Sequence, residues 1–225
     1  MSTIGVHFMN FHLEDNLSIE ELNEIIIECE NINEDKFVLN DYSDYILDAY
    51  YISYYNSKEF SYNEQTNTLE EVIVKKNIVI PFSIDIKNNI LEIWSNSTNV
   101  NKLILRLGII LEQKVIIEPI EVNLERIIKK IDKNTNIKVG NVKIENYVIE
   151  KDIIANCVFN LKNYNNTNDI LRKYLKNLIK LTLIITNRQD NITMIIHKNG
   201  SMVIYKSREE ISLETLEIIK DICIK

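Results

Sequence analysis

The sequence predicts an α+β protein built from two β-α-β(n)-α half-repeats, with antiparallel sheets covered by helices on one face. Three observations carry that reading. Apolar and polar residues alternate in several segments, as strands with one buried face require. Between them, apolar residues recur at intervals of three and four behind Ser or Asn residues suited to cap a helix. Finally, residues 82–111 and 193–223 follow one order: strand, Lys-Asn turn, strand ending in an aromatic, Ser, helix.

The opening IGVHFMNFHL places Ile4, Val6 and Phe8 in alternation and reads as a strand. Ser18 with Glu21 three residues on makes a capping box for a helix whose Ile19, Leu22, Ile25, Ile26 and Cys29 share one face. Residues 37–74 are short apolar or aromatic runs broken by Asn, Asp and Ser, which fits a meander, with a helix over 45–55 as the competing reading. Next comes EEVIVKKNIVIPFSIDI, β-branched, with Pro81 pointing to an edge or a bend. Asn88 and Asn89 separate FSIDIK from ILEIW as a tight turn between two strands.

Val100, Leu103, Ile104, Leu107, Ile110 and Leu111 then mark a helix. NLERIIKKID is a short amphipathic helix with Asn123 as its cap, inside a connector over 113–136. Val142, Ile144 and Val148 alternate as a strand, CVFNL supplies another, and 165–178 reads as a helix with Ile170, Leu171, Tyr174, Leu175 and Leu178 inward. LTLIIT, NITMIIH and SMVIY are strands, with Asn199-Gly200 as a type I′ hairpin turn. A helix over 211–223 closes the chain, with Ser207 and Glu210 as its capping box and Leu213, Leu216, Ile219, Ile222 and Cys223 as its buried stripe. The expected organisation is an acidic, Tyr-rich α+β half over 1–112, the connector over 113–136, and a net basic α+β half over 137–225.

The composition is that of an ordinary globular chain: 45% hydrophobic and 26% charged residues in 225, enough for a core without a metal or disulfide staple. Cys29, Cys157 and Cys223 are an odd number without CxxC pairing, which argues for a reducing compartment. The N-terminus lacks the pattern of a secretory signal and no apolar run reaches the length of a membrane span. The expectation is a cytoplasmic protein with no membrane partner.

The net charge of −7 counts against nucleic-acid binding only as an average. Residues 1–72 hold 16 acidic residues against Lys36 and Lys58, which leaves 17 acidic and 24 basic residues for 73–225. The acidic third either faces a basic partner, covers a basic surface of its own chain, or is simply a solvated face. Within it, Asp41, Asp44 and Asp48 interleave with Tyr42, Tyr45, Tyr50, Tyr51 and Tyr54, an amphipathic mixture suited to protein contacts or to mimicry of a nucleic acid. A sheet covered by something else explains the same tyrosines. In the second half, Arg172, Lys173, Lys176, Lys180 and Arg188 surround Tyr174, and Lys173, Lys176 and Lys180 share a helical face that either tracks a phosphate backbone or is an ordinary solvated surface.

The segment TMIIHKNGSMVIYKSREEISLETLEIIKDI resembles the end of a TATA-binding-protein-type half: strand, glycine turn, strand, polar link, long C-terminal helix. The resemblance implies a saddle whose concave antiparallel sheet sits on DNA or a protein partner while helices cover the convex face. Two departures limit it. Lys198 precedes Gly200 in the turn instead of following it, and the first half has no glycine there. The resemblance therefore carries an architecture and no residue roles.

Catalytic patterns are absent from the sequence. Four glycines, Gly5, Gly108, Gly140 and Gly200, are too scattered to cradle a phosphate, and there is no GxSxG, HExxH or Cys/His cluster. His7 and His12, five apart on a strand, point to opposite faces. Asp85 and Glu92 face each other across an expected hairpin and are the one candidate carboxylate pair for a dispersed site. No cofactor and no metal is implied. The ranking that results is a non-enzymatic binding or regulatory protein acting on a protein partner or itself, then a saddle-type nucleic-acid binder gated by its acidic third, then an enzyme with a dispersed carboxylate site.

Overall fold

Alternating segments become antiparallel strands throughout the chain, and the three-and-four segments become helices. The structure is a computed structural model that describes residues 4–14, 17–28, 35–131, 134–164 and 166–224. It divides into two compact units. Unit N comprises Asn10–Ile93 and Thr98–Ile117, and unit C comprises Met1–Met9, Trp94–Ser97 and Glu118–Lys225.

In unit N, β2 (Lys36–Tyr42), β3 (Ile46–Asn63), β4 (Thr68–Asp85) and β5 (Ile90–Trp94) form an antiparallel sheet in that order. The register stacks the apolar sets of neighbouring strands on one face: Leu47 on Ile84, Ala49 on Phe82, Tyr51 on Ile80, then Phe82 on Ile93 and Ile84 on Leu91. All of these are buried. Phe37, opposite Tyr51, adds a ring 5.1 Å from that tyrosine and 5.9 Å from Phe82. Helices α1 (Ile19–Glu28) and α2 (Ser97–Ile110) bury Ile19, Leu22 and Ile26, and Val100, Leu103 and Leu107.

Ser18 and Glu21 close the expected capping box, with Glu21 N donating to Ser18 Oγ at 3.2 Å and Ser18 N to Glu21 Oε2 at 2.8 Å. Lys102 of α2 bonds Ser53 of β3, which fixes that helix on the Leu47–Ala49–Tyr51 face. Ile25 lies at the margin of the α1 stripe and is exposed; Cys29 falls outside the described residues.

Residues 46–55 belong to β3 and Tyr45 to the bend before it, so the meander holds and the helix reading does not. The deciding factor is period-two burial: Leu47, Ala49, Tyr51 and Ser53 all face inward, which a 3.6-residue period cannot achieve. The two long strands are 18 residues each and stay paired to their tip, Asn63 against Thr68. Asp85 is opposite Ile90 and Glu92 is opposite Ser83, so those two carboxylates do not face each other as the sequence suggested. Asp85 instead accepts from Asn88 N at 2.9 Å and holds the turn in which Asn89 has φ 55°.

Unit C carries the first part of β1 (Ile4–Leu13), then β11 (Met202–Ile204), β10 (Asn191–His197), β9 (Leu178–Thr186), β7 (Ile137–Glu150) and β8 (Ile153–Asn160), in that spatial order and antiparallel. One face is wholly apolar: Val6 lies beside Met202, Met202 beside Ile196, Ile196 beside Leu181 and Leu181 beside Val142. Helices α3 (Leu124–Ile131), α4 (Thr167–Lys173) and α5 (Leu213–Cys223) serve this face. Cys223 Sγ lies 3.3 Å from Met202 Sδ, Tyr174 stacks beside Phe159 and Tyr147, and Arg126 of α3 reaches the Ile224 carbonyl at 3.2 Å. Burial pushes the Cys223 thiol up to about 12, so it stays protonated and packs as an apolar group. Asn123 caps α3 as expected, accepting from Arg126 N at 3.1 Å. Between α2 and α3, Val115–Pro119 forms a further strand, β6, which pairs with β1.

Three expectations in unit C are corrected. The helix expected over 165–178 stops at Lys173, followed by a 3₁₀ turn at Leu175–Asn177, and Leu178 opens β9 opposite Ile144. The β-branched run after it pairs on both sides, and that pairing outweighs helical continuation. The Ser207–Glu210 capping box forms but caps a 3₁₀ turn, Arg208–Glu210; α5 starts at Leu213 behind Ser212, which leaves Leu213 exposed. In the 198–200 turn only Gly200 has positive φ, 85°, and its N–H bonds the His197 carbonyl at 2.9 Å. That is a turn followed by a left-handed glycine, not type I′.

Gly5 is the tightest backbone approach. A Cβ there would sit 2.5 Å from the Ser95 carbonyl oxygen. Gly5→Ala is therefore expected to cost about 1–3 kcal/mol by overpacking, measured as a lower urea midpoint with unchanged slope. A midpoint equal to wild type would mean that the backbone yields there without strain.

Candidate interaction surface

The face of the unit N sheet away from Leu47, Ala49 and Tyr51 carries Asp41, Asp48, Tyr50, Ile52 and Tyr54, because strand side chains alternate. Beyond Tyr54 the β3–β4 pair runs on as a two-stranded ribbon, nine residues per strand, or roughly 30 Å at ordinary strand rise. Opposite residues share a face, so Phe60, Tyr62, Leu69 and Ile73 fall on one side of the ribbon, the same side as Tyr54. Phe60 is 75% exposed and Leu69 and Ile73 are 69% exposed. That side also carries Asn56, Lys58, Glu71 and Lys75, and the other side carries Tyr55, Ser57, Glu59, Ser61, Glu70, Val72, Val74 and Lys76.

A lone two-stranded ribbon is marginal in water. Here cross-strand pairs steady it: Lys58 with Glu71 at 2.7 Å, Lys76 with Glu59, and Asn63 Nδ2 with Glu70 at 2.8 Å. Lys75 sits 4.8 Å from the centre of the Tyr54 ring. At the tip, Asn67 takes φ 53° and Tyr62 bonds its side chain. The result is a projecting strand pair on which Phe60, Tyr62, Leu69 and Ile73 meet water among Lys58, Glu71 and Lys75.

The acid-tyrosine residues named from sequence do not all meet on this face. Asp41 and Asp48 do, lying directly opposite on β2 and β3, a like-charge pair that favours a cationic neighbour. Tyr50 and Tyr54 join them, half-buried. Asp44 and Tyr45 sit exposed in the bend between β2 and β3, with Lys87 5.3 Å over the Tyr45 ring. Tyr42 is exposed opposite Leu47.

Tyr51 is a core residue. It is 1% exposed and donates its hydroxyl to Asp35 Oδ2 at 2.6 Å. Burial, then the bond and charge of Asp35, raise its proton affinity, so the phenol stays neutral.

The basic set disperses as well. Arg172 and Lys173 end α4, Lys176 lies in the 3₁₀ turn, and Arg188 is in an exposed turn. Lys180 points elsewhere, into β9, so the helical face expected of Lys173, Lys176 and Lys180 does not exist. Its actual neighbours are Lys143 on β7 and His197 on β10, each directly opposite it. Burial first, and then Lys180 and Lys143, lower the proton affinity of His197.

No protein-family model and no curated protein matches the chain. Among the described residues, no group of three or more His, Cys, Asp or Glu is placed to hold a metal ion, and no helix is long and apolar enough to cross a membrane. Sequence reasoning missed Phe60, Tyr62, Leu69 and Ile73. The signal was present as alternation through 57–62 and 69–74, but alternation does not reveal how far a hairpin outruns the sheet that it starts in.

Proposed function

We propose that this chain is a non-enzymatic binding or regulatory protein that holds a protein partner, another chain or its own copy, on the Asp41–Tyr50–Tyr54 face and the ribbon that extends it. The observation that carries this reading is the apolar stripe of Phe60, Tyr62, Leu69 and Ile73, left in water on the part of the β3–β4 pair beyond Tyr54, where no residue is buried. Exposed apolar groups gathered on one side, with charged residues beside them, are what partner-binding surfaces present. Asp41 and Asp48 at the base favour a partner with basic residues near its apolar patch.

The hairpin-then-helix order recurs in β4–β5–α2 and in β10–β11–α5. That recurrence supports the two-half-repeat reading and the saddle-like architecture behind it. Cys157 and Cys223 are free thiols, which supports a reducing, cytoplasmic setting.

The test is retention of partner by immobilised full-length chain. A Phe60→Lys, Ile73→Lys double variant is expected to retain less than a tenth of the protein that wild type retains, each lost anchor being worth about 1–2 kcal/mol. Both side chains are exposed, so the urea midpoint should move by less than about 0.5 kcal/mol equivalent. Equal retention by the two baits, or no stoichiometric partner and no self-association of wild type, would sink the reading.

A further inference from the structure

The face of the unit C sheet opposite its helices holds a line of two lysines and a neutral histidine that the sequence did not group. Lys143, Lys180 and His197 are register neighbours on β7, β9 and β10. Neither lysine makes an ion pair among the described residues, and both are half-buried. Like charges directly opposite each other weaken a sheet, so this line costs stability unless an anion lies over it. Glu145 is the nearby carboxylate on that face, and Lys198 engages it at 3.5 Å.

The adjacent row, Asn160, Asn141 and Thr182, is neutral and continues on β10 to Ile195, with Thr182 and Ile195 both buried. Adjacent strands are about 4.8 Å apart, so the line spans about 10 Å from β7 to β10. One phosphate cannot reach across it; a chain of phosphates can.

We infer that Lys143, Lys180 and His197 form a strip that binds the phosphodiester backbone of a single-stranded nucleic acid laid across β7, β9 and β10. A peptide on the same face would find no backbone partners, which lie at strand edges and not on sheet faces. A phosphodiester strand brings acceptor oxygens to the two ammonium groups and to the imidazole N–H. The strip carries no exposed aromatic ring, so contact is to the backbone and independent of base sequence. The net charge of −7 does not oppose this, because the local field at the strip is cationic.

The experiment is fluorescence anisotropy of a labelled twelve-nucleotide oligouridine with the full chain, from 25 to 300 mM salt at pH 7. Wild type should bind with an affinity that falls with salt at a logarithmic slope of about −1.4, as two neutralised phosphates require. Lys143→Gln with Lys180→Gln should weaken binding at least tenfold at low salt and flatten the slope by about 1.4. Lys143→Arg, which keeps the charge, should bind like wild type. The glutamine variant relieves repulsion, so an unchanged or higher urea midpoint shows that lost binding is not lost folding. The ribbon variant Phe60→Lys, Ile73→Lys should bind the oligonucleotide as wild type does, which separates this inference from the protein-binding reading. No binding at 25 mM salt, a glutamine variant equal to wild type, or displacement of the oligonucleotide by polyglutamate at equal charge concentration would each overturn it.

Discussion

Asp190→Ala is expected to destabilise the protein by about 3–5 kcal/mol. Asp190 precedes β10 and its side chain is 5% exposed. Its Oδ2 accepts from Ser212 N at 2.9 Å, Ser212 Oγ at 2.6 Å and Thr215 Oγ1 at 2.7 Å, while Oδ1 accepts from Lys206 Nζ at 3.0 Å. Ser212 is also the N-cap of α5 and accepts from Thr215 N. One carboxylate thus ties the start of α5 to the sheet and neutralises Lys206. Removing it leaves a buried amide, two hydroxyls and an ammonium short of their acceptor.

Asp190→Asn keeps an acceptor but loses the charge, and should cost roughly half as much. The Ser212 hydroxyl above all, with Thr215, the Ser212 amide and Lys206, outweighs burial and holds the Asp190 carboxyl well below the usual carboxylate range. Its folded proton affinity is therefore lower than in the unfolded chain. Its contribution is fully present above the ordinary carboxylate value, about 3.9, and is lost as pH falls from there toward the folded value. Urea midpoints followed by Trp94 fluorescence between pH 5 and pH 2.5 should show a steeper decline for wild type than for Asp190→Asn. Equal slopes would mean that the network does not depend on the ionised carboxylate.

Tyr51→Ala is expected to cost about 3–5 kcal/mol, because it empties the space between Phe37, Ile80 and the helices. Tyr51→Phe keeps the ring and should cost about 1–2 kcal/mol, the loss of the hydroxyl that Asp35 Oδ2 accepts. Asp35 retains the Tyr54 backbone N–H at 3.3 Å, which limits the damage. Tyr42→Ala, at the exposed end of the neighbouring strand β2, should change stability by less than about 0.5 kcal/mol. Thermal melts of the three variants separate a core tyrosine from a surface one. If Tyr51→Ala melted like Tyr42→Ala, the assignment of Tyr51 to the core would be wrong.

These two residues also mark where sequence reading stops. Tyr51 sits in a run of tyrosines and aspartates that looks uniformly interfacial, yet its strand parity turns it inward while Tyr50 and Tyr54 turn outward. Parity within β3 was readable once the strand was assumed, but whether the segment was strand or helix was left open by its composition. Asp190 lies in NRQD, an unremarkable turn, and nothing local links it to Ser212 and Thr215, 22 and 25 positions later. Lys180 was grouped with Lys173 and Lys176 by helical spacing; the helix ended early because strand pairing on both edges of β9 prevailed.

Local pattern by itself determined that the chain alternates strands with amphipathic helices, placed the Ser18–Glu21 and Asn123 caps, and located the hairpins at 86–89 and 198–200. Those features depend on residues within four or five positions of one another, so they survive in one dimension. Only tertiary structure decided that β3 and β4 outrun their sheet as a ribbon, that Lys143, Lys180 and His197 share a line, and that Asp190 anchors α5. Each of those is a matter of register between segments distant in sequence, and register is set by which faces must be buried together, a sum over the whole core that no single segment contains.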